Sequence, residues 1–143
     1  MSEYLINGPI TQEVIVLRLK ELGTRKNTGG HSIFLGQVRA DIIDGKEVKA
    51  IEYSAYEQMV NAEAGNIIQE IINEYNDVDS IDLLHSTGIV RSGELSLFVM
   101  VSAGHRDHAT NACRQLVELL KKRLPVWKKE LFADESYRWK ENV

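Results

Sequence analysis

Five consecutive large apolar residues, Leu97-Phe98-Val99-Met100-Val101, lie between a Ser92-Gly93 turn and Gly104. Side chains alternate across a strand, so this run leaves no face for water and reads as a strand buried on both sides. Helical patterns elsewhere in the chain can supply the cover. Ile67, Ile68, Ile71, Ile72 and Tyr75 recur at helical spacing within 57–75. Ala109, Ala112, Cys113, Leu116, Leu119 and Leu120 do the same from an Asp107 cap to about Leu124, where Pro125 ends the helix. A shorter first helix starts at a Thr11 cap and carries Val14, Ile15, Leu17 and Leu22 on its apolar side.

Residues 31–39 read as a strand with Ile33 and Leu35 on one face and Phe34 and Val38 on the other. Strands are also expected over 49–56, with Ile51, Tyr53 and Ala55 inward, over 80–86, and over the apolar run itself. Val126-Trp127 and Tyr137-Arg138-Trp139 form a final extended piece. Asp44-Gly45 and Ser92-Gly93 have hairpin chemistry, which argues for antiparallel pairing. The expectation is one α+β domain over 1–143, a mainly antiparallel sheet packed by helices. A chain of 143 residues buries enough surface to fold without a metal or disulfide.

Cys113 is the single cysteine, so no internal disulfide forms and a reducing, cytoplasmic setting is expected. No apolar run approaches membrane-spanning length, and Met1-Ser2-Glu3-Tyr4 lacks the pattern of a secretory leader. A net charge of −4 argues against a nucleic-acid binder. Between Lys121 and Lys140, however, seven basic residues face three acidic ones, which suggests a local anion site; a solvated helix end is the ordinary alternative. Gly29-Gly30 is not a dinucleotide fingerprint, and His31, His85, His105 and His108 show no metal-ligand spacing. His105 and His108 can share a helix face, but a third ligand has to come from afar. No resident metal or cofactor is expected. Cys113 falls on an apolar helix side and reads as a small buried hydrophobe, which counts against a cysteine-based sulfurtransferase.

Two clusters carry the chemistry. At His105-Arg106-Asp107 a strand ends and a helix begins, so free amides and two cationic side chains can meet an anion, with Gly104 leaving room for close approach. The alternative is a surface arginine and a histidine satisfied within a turn. Lys121 and Lys128 flank Pro125, and Trp127 beside Lys128 can desolvate an amine and lower its pKa; solvated lysines at a helix end are the alternative. Asp107 and Lys121 are 14 residues apart, about 21 Å along a helix, too far for one small ligand. If both clusters serve one site, two chains build it, and the chain is a homodimer.

Three blocks then resemble a known family: Phe34-Leu35-Gly36-Gln37-Val38-Arg39; the Arg91-Ser92-Gly93-Glu94 turn with its strand and His105-Arg106; and Leu120-Lys121 followed by Pro125-Val126-Trp127-Lys128-Lys129-Glu130. In this order they resemble the large, catalytic subunit of molybdopterin synthase. The resemblance implies an α/β hammerhead-like fold and a central homodimer that binds a small ubiquitin-like sulfur-carrier subunit at each end, giving a heterotetramer. It implies insertion of two sulfurs from a C-terminal glycine thiocarboxylate into cyclic pyranopterin monophosphate (precursor Z), forming the dithiolene of molybdopterin. Lys121 and Lys128 are then the expected catalytic residues. Gln37, Val38, Arg39, His105, Arg106, Lys121, Lys128, Lys129 and Glu130 are expected at the substrate, with Phe34 as a wall. Ala103 stands where relatives often carry serine, and no residue matches the C-terminal arginine of some relatives. A non-catalytic dimer that docks a ubiquitin-like tail or an anionic ligand is the competing reading.

Overall fold

A computed structural model describes residues 3–140. The ends of the expected 1–143 domain, Met1 and Ser2 among them, lie outside the described residues. The elements are β1 (Leu5–Asn7), α1 (Gln12–Leu19), a 3-10 turn (Leu22–Thr24), β2 (Gly30–Gln37), β3 (Ile42–Ile43) and β4 (Lys46–Ala55). α2 (Glu57–Glu74), β5 (Val78–Arg91), β6 (Leu95–Ala103), α3 (Arg106–Arg123), β7 (Val126–Phe132) and β8 (Tyr137–Lys140) follow. The sheet runs β2-β6-β5-β4-β7-β8, with β3 on β4 and β1 on β5. Only the β1–β5 pairing is parallel among the described strands.

The apolar run is indeed buried on both sides. From β6, Leu97, Val99, Val101 and Ala103 enter the main core beneath α2 and α3, with Val60, Ala64, Ile67 and Ile71 from α2. Phe98 and Met100 point the other way, into a second cluster with Ile10, Leu84, Val14, Ile15 and Leu22. The Asp44-Gly45 hairpin is also present: both residues have positive φ (52° and 78°), as a two-residue turn between β3 and β4 demands.

Four expectations are corrected. Leu17 is 62% exposed, because the eight-residue α1 packs only its half-buried Val14–Ile15 edge against the second cluster. β5 extends well beyond 80–86: Gly88, at φ 77°, lets the strand bend, pairing with β6 before it and with β4 from Gly88 to Arg91. The terminal extended piece is a hairpin, β7 and β8, in register from Lys128↔Lys140 to Leu131↔Tyr137. Finally, α3 starts at Arg106 with His105 as its cap residue; Asp107 lies inside the first turn, and the capping carboxylate comes from Asp77, whose Oδ2 accepts the His105 amide at 3.0 Å.

Candidate active site

A cavity of about 380 Å³ opens between the end of β2, the last turn of α3 and the β7–β8 hairpin. It brings together seven of the expected residues: Phe34, Gln37, Val38, Arg39, Lys121, Lys128 and Glu130. The fold explains each placement. A bulge at Gly36–Gln37 turns the chain out of β2 beside β6, and Gly93 N–H holds the Val38 carbonyl at 2.8 Å. Alternation along β7 sends Val126, Lys128 and Glu130 into the cavity. Lys121 reaches it from α3, its Nζ 6.0 Å from the Phe34 ring centre.

The walls are strongly cationic. Lys140 lies directly across from Lys128, and Arg138 across from Glu130. Glu130 is only 2% exposed, and its Oε1 accepts from Arg138 Nε at 3.1 Å and Nη2 at 2.9 Å, so its charge is already paired. Arg39 sits beside Asp41 at 3.3 Å. Among the described residues no carboxylate pairs with Lys121, Lys128 or Lys140. Burial first, and then the charges of Lys140 and Lys121, hold the Lys128 ammonium below its ordinary pKa. Trp127 is not the cause: it lies on the opposite face of β7, 45% exposed, with its ring edge-on to Tyr56 at 5.8 Å.

The floor holds residues that the sequence reading did not assign to a site. Tyr53 donates its hydroxyl to Ser96 Oγ at 3.1 Å, and its ring meets His85 edge-on at 5.1 Å. The Ser86 carbonyl, 2.8 Å from His85 Nδ1, can only accept, so Nδ1 carries the proton and Nε2 keeps its lone pair. Burial pushes the His85 pKa down to about 4, and the Lys128 charge adds to the shift. The unfolded chain takes up this proton near pH 6.5, before the folded chain does. His85 therefore supports the fold above that pH, and its contribution is lost as pH falls from 6.5 toward 4. Thermal melts of His85→Gln are expected to show a weaker pH dependence across this window than wild type.

The remaining expected residues do not meet in one chain. His105 and Arg106 sit at the far end of the 18-residue α3 and do not line the cavity. The Lys129 side chain points to the opposite face of β7, pairing with Glu52 at 3.7 Å and lying over the Tyr137 and Trp139 rings at 4.6 and 5.0 Å. Cys113 is buried, and burial pushes its thiol pKa up, the reverse of an activated nucleophile. A third group does join His105 and His108: Asp77, which binds both imidazoles by hydrogen bonds.

The MoaE protein family model matches residues 9–123. A molybdopterin synthase catalytic subunit of Culex quinquefasciatus is 36% identical over 126 residues, covering 87% of this chain and 80% of that relative. Molybdopterin synthase of Staphylococcus aureus superposes with a TM-score of 0.84 at 25% identity, over 99% of this chain and 98% of that one. The fold is shared with a chain from the complex of subunits 1 and 2 of the molybdopterin-converting factor of Helicobacter pylori. That match has a TM-score of 0.80 at 20% identity, over 96% and 89% of the two chains.

Proposed function

The chain belongs to the MoaE protein family as a molybdopterin synthase catalytic subunit, a sulfur-transferring enzyme, and we propose that its cavity converts cyclic pyranopterin monophosphate to molybdopterin. The sulfur arrives as a thiocarboxylate on the C-terminal glycine of a small ubiquitin-like subunit, in line with the two-subunit complex of the H. pylori relative. Two copies of this chain form the centre of a heterotetramer, with one small subunit on each. The setting is the cytoplasm; among the described residues no helix is long and apolar enough to cross a membrane.

One observation carries the reading: Lys121, Lys128 and Lys140 line one cavity with no carboxylate partner among the described residues. Like charges at such spacing repel, and an anion between them relieves the cost. The cyclic phosphate and the small subunit's C-terminus are both anions of that kind. Lys121, exposed at the end of α3, holds the thiocarboxylate and moves protons during sulfur transfer. Lys128 stabilises negative charge that develops as the cyclic phosphate opens or the acyl intermediate forms. Arg39 clamps an oxyanion, in which its planar fork surpasses a lysine. Gln37, Val38 and Phe34 shape the wall, and the Glu130–Arg138 pair ties β8 to β7. The Lys129 side chain serves this substrate-contacting stretch by bracing the outer face of the hairpin. His105 and Arg106 enter from the partner copy and bind the phosphate or pterin, which accounts for their distance from Lys121 within one chain.

Reconstitution tests the proposal. Purified chain, cyclic pyranopterin monophosphate and a thiocarboxylated small subunit are expected to give product that oxidises to the fluorescent pterin derivative. Product that depends on the thiocarboxylate supports the reading. Tight binding of the small subunit without product supports the docking module instead, and neither product nor binding overturns both.

A further inference from the structure

We propose that Asp77 is the positioning residue of His105, holding its imidazole with Nδ1–H inward and Nε2 outward for the ligand. The inference rests on the reading above that His105 serves the neighbouring copy's cavity.

Asp77 occupies the short connection between α2 and β5, immediately before Val78. Four bonds tie it to the start of α3. Its backbone carbonyl accepts the Gly104 amide at 3.0 Å. Its Oδ2 accepts both the His105 amide at 3.0 Å and His105 Nδ1 at 2.9 Å. Its Oδ1 meets His108 Nδ1 at 2.5 Å. The glycine at 104 makes this approach possible: a Cβ there would lie 3.3 Å from Oδ2, tighter than ordinary contact. The space that glycine leaves is thus taken by the Asp77 carboxylate rather than kept open for a ligand.

The chemistry of the two ends differs. Asp77 is 22% exposed and His105 is 82% exposed at the side chain, so a fixed anion anchors an otherwise free ring. The His105 side-chain bond first, with the His108 and backbone bonds behind it and burial opposing, holds the Asp77 carboxyl down at about 2. It is therefore an acceptor throughout the working pH range. A carboxylate cannot donate, so the neutral imidazole facing it must carry its proton on Nδ1. His108, whose ring also lies against Tyr75 at 5.8 Å, occupies the other oxygen and keeps the carboxylate from turning away. Without this clamp an exposed histidine samples several rotamers and both tautomers, and only a fraction of them can meet a bound ligand.

Asp77→Asn tests the proposal in the reconstituted complex. The amide is isosteric but offers one acceptor oxygen where the carboxylate serves three donors. The expected result is a rise of about tenfold in KM for cyclic pyranopterin monophosphate, with kcat within about twofold, because the ring is still present but no longer pre-set. Long-range 1H–15N spectra at pH 8 are expected to show the His105 Nδ1–H tautomer in wild type and loss of that preference in the variant. The amide spectrum of the same sample reports whether the fold is kept. In a His105→Ala background, Asp77→Asn is expected to add nothing. Wild-type KM and tautomer in Asp77→Asn, or an equal loss in the His105→Ala background, overturns the positioning role. A His105→Ala variant with wild-type KM overturns instead the reading of His105 at the site.

Discussion

Lys121→Ala is expected to lower the rate of dithiolene formation by about 10²–10³-fold while the chain still folds and still binds the small subunit. The side chain reaches the cavity from the last turn of α3, is exposed, and has no carboxylate partner among the described residues. Its removal therefore leaves no buried charge behind, and alanine is the best helix former for the position. What disappears is a cation beside the Phe34 wall that can gain or lose a proton. Lys121→Arg separates the two duties: the guanidinium keeps the charge but cannot deprotonate at working pH, so binding is expected to persist while turnover stays low. Single-turnover assays with saturating thiocarboxylated small subunit read both variants. Near wild-type turnover in Lys121→Ala would remove Lys121 from the chemistry.

Lys128→Met is expected to do two things at once: abolish turnover and make the chain more stable. Lys128 lies directly opposite Lys140 and near Lys121, and burial together with those charges holds its pKa below the usual value. A lysine depressed in this way opposes folding at neutral pH, because the unfolded chain keeps its proton more easily. The wild-type penalty fades as pH rises through the depressed value, where the unfolded state binds more protons than the folded one. Methionine fills a similar volume without charge. Relief of one cross-strand like-charge contact is worth up to about 1 kcal/mol, a rise of about 2–4 °C in Tm. The gain should shrink as the melts are moved toward pH 10. A variant both inactive and less stable than wild type would mean that Lys128 is a structural residue.

The parts of this site that can be read along the chain are those whose neighbours are close in sequence or fixed by periodicity. The unbroken run from Leu97 to Val101 required cover on two sides, and the two core clusters supply it. Lys121 and Lys128 stood out because a helix end and a proline bring a strand back past them, and both line the cavity. The misses depend on long-range register. Lys140 enters the site only because β8 pairs back on β7, and the sequence shows no strong turn at Asp134–Ser136. His85 and Tyr53 lie on β5 and β4, in apolar alternation that reads as core, and only strand order makes them a cavity floor. Trp127 looked like the group that desolvates Lys128, but adjacent residues on a strand face opposite sides. Asp77 is silent in the sequence, since nothing local links it to a helix cap 28 residues later.

The shared site is tested most directly by mixing Lys121→Ala with a His105→Ala/Arg106→Ala double variant in the reconstituted assay. The substrate concentration is held far below the wild-type KM, where loss of both substrate-binding side chains leaves little turnover. In a mixed dimer one cavity draws Lys121 from one copy and His105 with Arg106 from the other, so it is intact, while the second cavity carries all the lesions. Random exchange in an equal mixture then restores about a quarter of wild-type activity. Return of that activity on mixing, from two preparations that are each nearly inactive, is the predicted result. No recovery after subunit exchange has been verified would contradict a cavity built from two chains.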